Sequence, residues 1–150
     1  MVDDDDFEEI NKFKWLSEKR GNTFYAQRTD YSNGNNNRIR IKMHRLIMQP
    51  EKGMVVDHKD RNGLNNQKNN LRICTDSENL CNRTAYGKSK YLGVSWRKNR
   101  RTWQAVIKQR GGKYIYLGGF KIETEAALAY NEAAKKYHGE FANLNIIETY

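Results

Sequence analysis

Residues 55–79, "VVDHKDRNGLNNQKNNLRICTDSEN", decide how this chain is read. Two valines lead into Asp57-His58, an apolar strand ending on a charged and a titratable side chain. "DRNG" supplies turn chemistry, with Asp60 and Asn62-Gly63 as turn formers. "LNNQKNN" is a loop, "LRICT" a second strand, and a helix opens at Asp76 or Ser77, where Ser77-Glu78 offers a capping side chain and a first-turn acid. The pattern is strand–loop–strand–helix in under forty residues. A surface turn needs neither the valines nor the histidine. The Asp-His pair therefore asks for a chemical reason.

Metal-dependent phosphodiester hydrolysis supplies one. It needs oxygen ligands for a hard cation, which keeps several waters and touches one or two protein groups. It also needs a base near neutral pKa, and histidine is suited to that. Adjacent strand residues point to opposite faces, so Asp57 and His58 serve one site only where the strand end is distorted. A second ligand then has to come from the following helix. The ordinary reading of each residue alone is a strand-end polar group or a loop cap; the conjunction points to catalysis.

The rest of the chain sets the context. Its 150 residues are 37% hydrophobic and 30% charged, which implies small cores in small modules. Net charge is +9, a field that attracts polyanions. Residues 1–86 hold 15 Lys+Arg against 13 Asp+Glu, whereas residues 87–150 hold 12 against 5, so the charge is +2 and +7 respectively. Between Gly87 and Lys121 lie ten basic residues and no acidic one. An anionic polymer is the partner this favours over a merely solvated face. The acidic start "MVDDDDFEE" and the absence of a long apolar run argue against a secretory signal or membrane anchor. Cys74 and Cys81 make no export framework and read as packed thiols, and no zinc site is expected from them.

Residues 1–50 read as a helix, "FEEINKFKWL", then two strands, "TFYAQRTD" and "RIRIKMHRLI", joined by the loop "YSNGNNN". This hairpin is expected to buttress the unit at 51–83 and to add a DNA contact through Arg38, Arg40 and Lys42. His44, in alternating context, reads as a packed strand residue, and His138 as a helix-end residue favoured by the dipole. Residues 84–90 form a basic, flexible linker. Residues 91–150 change character: "YLGVSWRK", "RTWQAVIKQ" and "KYIYLGGF" are three strands with turns at "NR" and "RGG". "ETEAALAYNEAAKKYHG" is a helix with Ala126, Ala127, Tyr130, Ala133, Ala134 and Tyr137 on one face, ended by Gly139. The fold class is α+β, with a ββα unit followed by a three-stranded antiparallel sheet on one helix.

Asp57-His58, Asn70 before Leu71, and Asn79 in "SENLCN", with "MHRLIM" nearby, resemble the HNH family of homing endonucleases. The resemblance implies the ββα-metal fold, with His58 as general base, Asp57 and Asn79 as metal ligands, and Asn70 as the asparagine that fixes the loop and helps orient the histidine. Asn79 stands where many members carry histidine; its amide oxygen suits Mg²⁺, or Mn²⁺, rather than zinc. Hydrolysis leaving a 5′-phosphate and a 3′-hydroxyl is implied. Against the family's usual N-terminal segment the chain begins at "VDDDDF", and a preceding strand is expected to be missing.

Residues 90–145 resemble the AP-two (ethylene-response-factor type) DNA-binding domain, on Gly93-Val94, Trp103-Gln104-Ala105, Leu117-Gly118, "EAALAY" and "FANLN". Such domains lay their sheet in the major groove of duplex DNA. Strand alternation puts Trp103, Ala105, Ile107, Ile115 and Leu117 toward the helix. Ser95, Arg97, Thr102, Gln104, Lys108, Tyr114 and Tyr116 then face DNA, with Arg100 and Arg101 at the turn. Lys98 and Arg110 read as solubilising, and Trp96 suits either a nucleotide or the sheet edge. The whole reads as a phage or mobile-element nuclease, monomeric, acting on double-stranded DNA in the host cytoplasm, not secreted, with no membrane and no obligate protein partner. Two other classes compete: a non-catalytic, sequence-specific DNA-binding regulator, and an RNA-binding module whose aromatic sheet stacks bases.

Overall fold

The computed structural model describes residues 1–32, 38–85, 87–109 and 111–148. Most of the "YSNGNNN" loop and Arg110 lie outside the described residues. The chain is α+β, as the patterning predicts, and divides into two compact units, Met1–Asn79 and Leu80–Tyr150.

The first unit opens with α1 (Asp4–Asn11), whose first turn holds Asp4, Asp5 and Asp6, acids that complement the helix dipole. Asp3 and Asp6 also reach the later loop: Lys68 donates its backbone N–H to Asp3 Oδ2 at 2.7 Å and its Nζ to Asp6 Oδ1 at 2.7 Å. Three antiparallel strands follow, β1 (Leu16–Arg20), β2 (Thr23–Asp30) and β3 (Ile39–Lys42), in the order β1-β2-β3. The sequence patterning yields two strands here. The extra one is "LSEKR", too polar to announce itself: none of its five residues is fully buried.

The second difference lies at "RIRIKMHRLI". The strand stops at Lys42, and Met43–Met48 is a helix, α2, that buries Met43 and His44. His44 is therefore a helical residue, not a strand residue. Ile39, Ile41 and Met43 do alternate, but Met43, Leu46 and Ile47 also satisfy i, i+3, i+4 spacing, and the helical period wins from Met43 on. Gln49 closes the helix in the left-handed region (φ 43°), its N–H donating to the Arg45 carbonyl at 3.0 Å, just before Pro50, which disfavours further helix.

The strand–loop–strand–helix expectation is met by β4 (Val55–His58), β5 (Leu71–Cys74) and α3 (Asp76–Asn79). β4 and β5 are antiparallel, pairing Asp57 with Arg72 and His58 with Leu71. The cap of α3 is Thr75: its Oγ1 accepts the Glu78 N–H at 3.3 Å, while Glu78 Oε2 accepts the Thr75 N–H at 2.9 Å, a reciprocal capping box. Cys74 and Cys81 are both buried and outside any disulfide, and burial pushes the Cys74 thiol up to about 11.

The second unit pairs β6 (Val94–Arg97), β7 (Thr102–Lys108) and β8 (Tyr114–Phe120) as an antiparallel sheet in sequence order. Helix α4 (Glu123–His138) packs Ala126, Ala127, Tyr130, Ala133 and Ala134 against Val94, Ala105, Ile107 and Leu117. Gly139 ends it at φ 57°. His138 is buried, and its Nε2 donates to the Lys108 carbonyl at 2.8 Å, so it fastens the helix end to β7 as well as meeting the dipole. Asn145 joins α4 to the segment leading into β6: it exchanges bonds with Leu92 (2.6 and 3.1 Å) and with Asn131 (2.7 and 2.9 Å). The stretch read as a flexible linker is fastened at its far end, where buried Ser89 donates to Glu123 Oε1 at 2.7 Å.

Gly93 has a stricter reason to be glycine. It sits at φ 74°, its carbonyl accepts the Val106 N–H at 2.9 Å, and an added Cβ would lie 2.1 Å from Tyr130 Cδ2. Gly93→Ala combines a strained backbone with overpacking against the helix, and we expect it to destabilise this unit by about 2–4 kcal/mol. Chemical unfolding followed by tryptophan fluorescence reads the shift in midpoint; an unchanged midpoint would refute this account of the packing.

Candidate active site and nucleic-acid interface

The strand end at His58 is buried, and its two functional side chains diverge as alternation requires. Asp57 turns to its cross-strand partner: Arg72 places Nε at 2.8 Å and Nη2 at 2.6 Å from the same oxygen, Oδ2, in an ion pair with both side chains largely buried. His58 turns the other way, into a three-ring cluster. Its centroid lies 5.0 Å from that of His44 and 5.7 Å from that of Tyr25, and Tyr25 lies 5.5 Å from His44, all edge to face. Gly63 allows this packing from above, since a Cβ there would lie 2.6 Å from the Tyr25 ring. Burial, the largest influence, pushes the His58 imidazole below its ordinary range, while the Asn66 hydrogen bond and the Asp60 and Asp57 carboxylates pull the other way. The net effect favours the neutral form of the ring.

Asn70 organises the loop that follows. Its Nδ2 donates to Asp60 Oδ1 (2.9 Å) and to the Asn65 carbonyl (2.8 Å), and its Oδ1 accepts the Asp60 N–H (3.1 Å). Its own carbonyl accepts the Lys59 N–H at 2.9 Å. Asp60, bonded also to the Asn62 N–H at 2.8 Å and Asn65 Nδ2 at 2.8 Å, is a turn residue. Asn79 is exposed on the last turn of α3, held by its N–H to the Thr75 carbonyl at 3.0 Å.

Three residues at this site escape the sequence reading. Arg72 was legible in principle, because antiparallel pairing of "VVDH" with "LRIC" sets it opposite Asp57. Tyr25 comes from a distant strand and gives no local signal. Asn66, whose Oδ1 lies 3.2 Å from His58 Nε2, is hidden among six asparagines and glutamines of the loop region.

Among the described residues, no three His, Cys, Asp or Glu side chains are grouped as a metal cage. The ligands that the sequence leads one to expect, Asp57 and Asn79, would offer hard oxygens, which suit a cation that keeps most of its shell as water and substrate oxygens.

A sequence model of the HNH endonuclease family matches residues 42–81, from the end of β3 through α3. Protein 3.8 of Escherichia phage T7 is 31% identical over 93 residues, covering 61% of this chain and 75% of its own length. The chain belongs to the HNH endonuclease family. An HNH endonuclease of Acanthamoeba polyphaga mimivirus is 29% identical over 145 residues, spanning 93% of this chain and 70% of that protein. Similarity of another kind covers part of the chain: APETALA2-like protein 2 of rice is 48% identical over 62 residues, 41% of this chain. The chain spans only 14% of the length of that plant relative.

The sheet of the second unit presents the face expected to meet DNA. Register pairs Ser95 with Gln104, Arg97 with Thr102, and Lys108 with Tyr114, so these side chains share one side. A bulge between Ala105 and Val106 keeps Tyr116 on that side, opposite Val106. Tyr114 and Tyr116 are 63% and 58% exposed, and Lys108 Nζ lies 5.5 Å from the Tyr114 ring centroid. Arg97, Arg100, Thr102, Gln104 and Tyr116 line one concavity, and Arg97 Nε donates to Gln104 Oε1. Arg101 holds the left-handed position of the turn (φ 48°). Trp96 pairs with Trp103 on the other side, ring centroids 5.2 Å apart, and so covers the sheet edge. In the first unit, Arg40 and Lys42 share the β-sheet face that carries Tyr25, by register, while Arg38 precedes β3. No helix among the described residues is long and apolar enough to cross a membrane.

His44 adds a pH dependence. Burial, then His58, Lys42 and Arg45, push it from 6.5 to about 3, and its Nδ1 has no hydrogen-bond partner among the described residues. The unfolded chain therefore binds this proton first. Stability is complete above about pH 6.5 and falls, by up to about 1.4 kcal/mol per unit from this group, as pH drops toward 3. Urea midpoints across that range should decline steeply, and less steeply in His44→Gln; parallel slopes would refute the assignment.

Proposed function

We propose that this HNH protein is a site-directed DNA endonuclease of the homing type. Its ββα unit hydrolyses one phosphodiester bond, and its basic C-terminal sheet supplies affinity and orientation by lying in the major groove. The observation that carries the reading is a buried histidine, His58, following Asp57 at the end of β4 in the ββα unit of an HNH chain. His58 takes a proton from the attacking water, whose oxygen bonds to phosphorus as the bond to the 3′ oxygen breaks. Asp57 and Asn79 would hold a divalent ion, Mg²⁺ or Mn²⁺, whose charge would offset that on the phosphate and the departing oxygen. Asn70 keeps the loop after His58 in place. Arg97, Arg100, Arg101, Gln104 and Lys108 meet phosphates and base edges, with Ser95, Thr102, Tyr114 and Tyr116 filling the same face. The protein acts as a monomer on double-stranded DNA inside the host cell of a phage or mobile element.

Incubation of the chain with supercoiled plasmid tests this. Nicked or linear product should form with Mg²⁺ and vanish with EDTA; equal product in EDTA would sink the metal requirement. The Arg72–Asp57 pair favours one other reading, a unit whose acid has become structural and whose function is DNA binding alone; plasmid left intact with Mg²⁺ would select it.

The two functions should also separate. Arg97→Ala with Gln104→Ala is expected to weaken binding to a selected site by about 2–4 kcal/mol, at about 1–2 kcal/mol per lost contact, with Mg²⁺ binding unchanged. Fluorescence anisotropy for DNA and calorimetry for the ion read the two; loss of both would refute the division of labour. Binding should weaken steeply with added salt.

A further inference from the structure

The cations of the β1-β2-β3 sheet divide by face. On one face each has a structural reason. Arg28 Nη1 lies 3.6 Å from Asp30 Oδ2, and its guanidinium sits 3.9 Å from the Phe13 ring centroid. Lys19 lies over Phe24, its Nζ 6.0 Å from that centroid. The opposite face carries Glu18, Arg20, Tyr25, Arg40 and Lys42, by register. Glu18 is the one acid that these strands place there, and two arginines share it: Arg20 Nε at 3.3 Å and Arg40 Nη1 at 3.5 Å. Lys42 makes no ion pair among the described residues; it lies half-buried over Tyr25, its Nζ 5.8 Å from the ring centroid. Arg45, exposed on α2, donates Nη1 to the Met54 carbonyl at 3.1 Å.

These charges repel. Burial, then Arg20 and Arg45, push the Lys42 ammonium below its ordinary range, and Glu18 pulls the other way as the weakest influence. The remaining acid felt at Tyr25, Asp57, is held by Arg72. Gathering cations around a half-buried ammonium costs a fold stability, and an anion would relieve it. We infer that Arg20, Lys42 and Arg45 form a phosphate-binding site on the nuclease unit, which takes a backbone phosphate of duplex DNA. Guanidinium forks and an ammonium suit phosphate oxygens, and such contacts fix position without reading bases. Arg40, with Glu18 beside it, stands at the edge of the site. The Tyr25 ring under Lys42 is the ring that meets His58 edge to face, at 5.7 Å between centroids, so the site lies one side chain away from the proposed base. It gives the nuclease unit a grip of its own, additional to the base-reading sheet of the second unit.

This inference rests on DNA being the substrate, and its test needs no cleavage. Binding of the whole chain to labelled duplexes in EDTA is followed by fluorescence anisotropy across a range of salt concentrations. Arg20→Gln with Lys42→Gln is the variant, since Arg45 also bonds backbone. Its affinity should fall about tenfold at low salt, equally for a selected site and for an unrelated duplex, and the slope of log affinity against log salt should shrink by about two. Its urea midpoint should match or exceed that of wild type, because repulsion is removed. An unchanged salt slope overturns the inference, and with a lowered midpoint it makes the cluster structural. A loss confined to the selected site would make these residues base readers, and a loss seen only with single-stranded RNA would make the ligand RNA; either overturns it. Where the double variant fails to fold, Lys42→Gln alone decides, with a slope smaller by about one expected and an unchanged slope contrary. A chain that binds in this way yet leaves plasmid intact loses the nuclease reading and keeps the phosphate site.

Discussion

Replacing His58 by alanine is expected to lower the plasmid-nicking rate by about 10²–10⁴-fold, the range that a positioned general base contributes. DNA binding should be unchanged, because the ring is buried among Tyr25, His44 and Asn66 and the proposed binding face lies on another sheet. Loss of the ring also opens space beside Tyr25, so the comparison needs a stability control. Unfolding midpoints within about 2 kcal/mol of wild type would show that chemistry, not folding, is lost. Unchanged nicking in His58→Ala would remove the histidine from the mechanism. A fall in DNA affinity matching the fall in rate would move it from chemistry to binding.

The second large effect falls on stability. Arg72→Ala leaves the Asp57 carboxylate buried beside the strand end with its two-donor partner gone, a change that costs about 3–5 kcal/mol. The loss should be visible in urea or thermal unfolding. Removing both charges is a different experiment: Asp57→Leu with Arg72→Met takes away the buried pair together, and should be much closer to wild type than Arg72→Ala alone. The double variant should nevertheless be inactive, since Asp57 is the proposed ligand. A single variant as stable as wild type would mean that water reaches Asp57 freely. An active double variant would mean that Asp57 holds no ion.

The sequence shows the ββα unit so clearly because its signals are local. Valines mark β4, "DRNG" marks the turn, and Ser77-Glu78 marks the helix start, although the capping side chain proves to be Thr75. The helix of the second unit is equally local, since six apolar positions at one spacing need no distant partner to be noticed. What stays hidden is set by tertiary structure. β1 is a polar strand that exists because β2 offers it a ladder, and α2 takes over an alternating stretch because Met43 and His44 are buried on a helical face. At the site, Asp57 and His58 can be picked out by chemistry, whereas Tyr25, Asn66 and Arg72 become visible only once register and loop closure bring them near. His44 shows both sides. Its position stood out, and its burial against His58 did not.

The central claim is that this chain hydrolyses DNA with His58 as base and a divalent ion at Asp57 and Asn79. The chemistry of the ends at a nick tests it most directly. Plasmid treated with wild type and, in parallel, with His58→Ala in Mg²⁺ should give nicks only with wild type, each sealed by DNA ligase without prior treatment. That result means a 5′-phosphate and a 3′-hydroxyl. Nicks that ligase cannot seal, or equal nicking by the two proteins, would contradict the account.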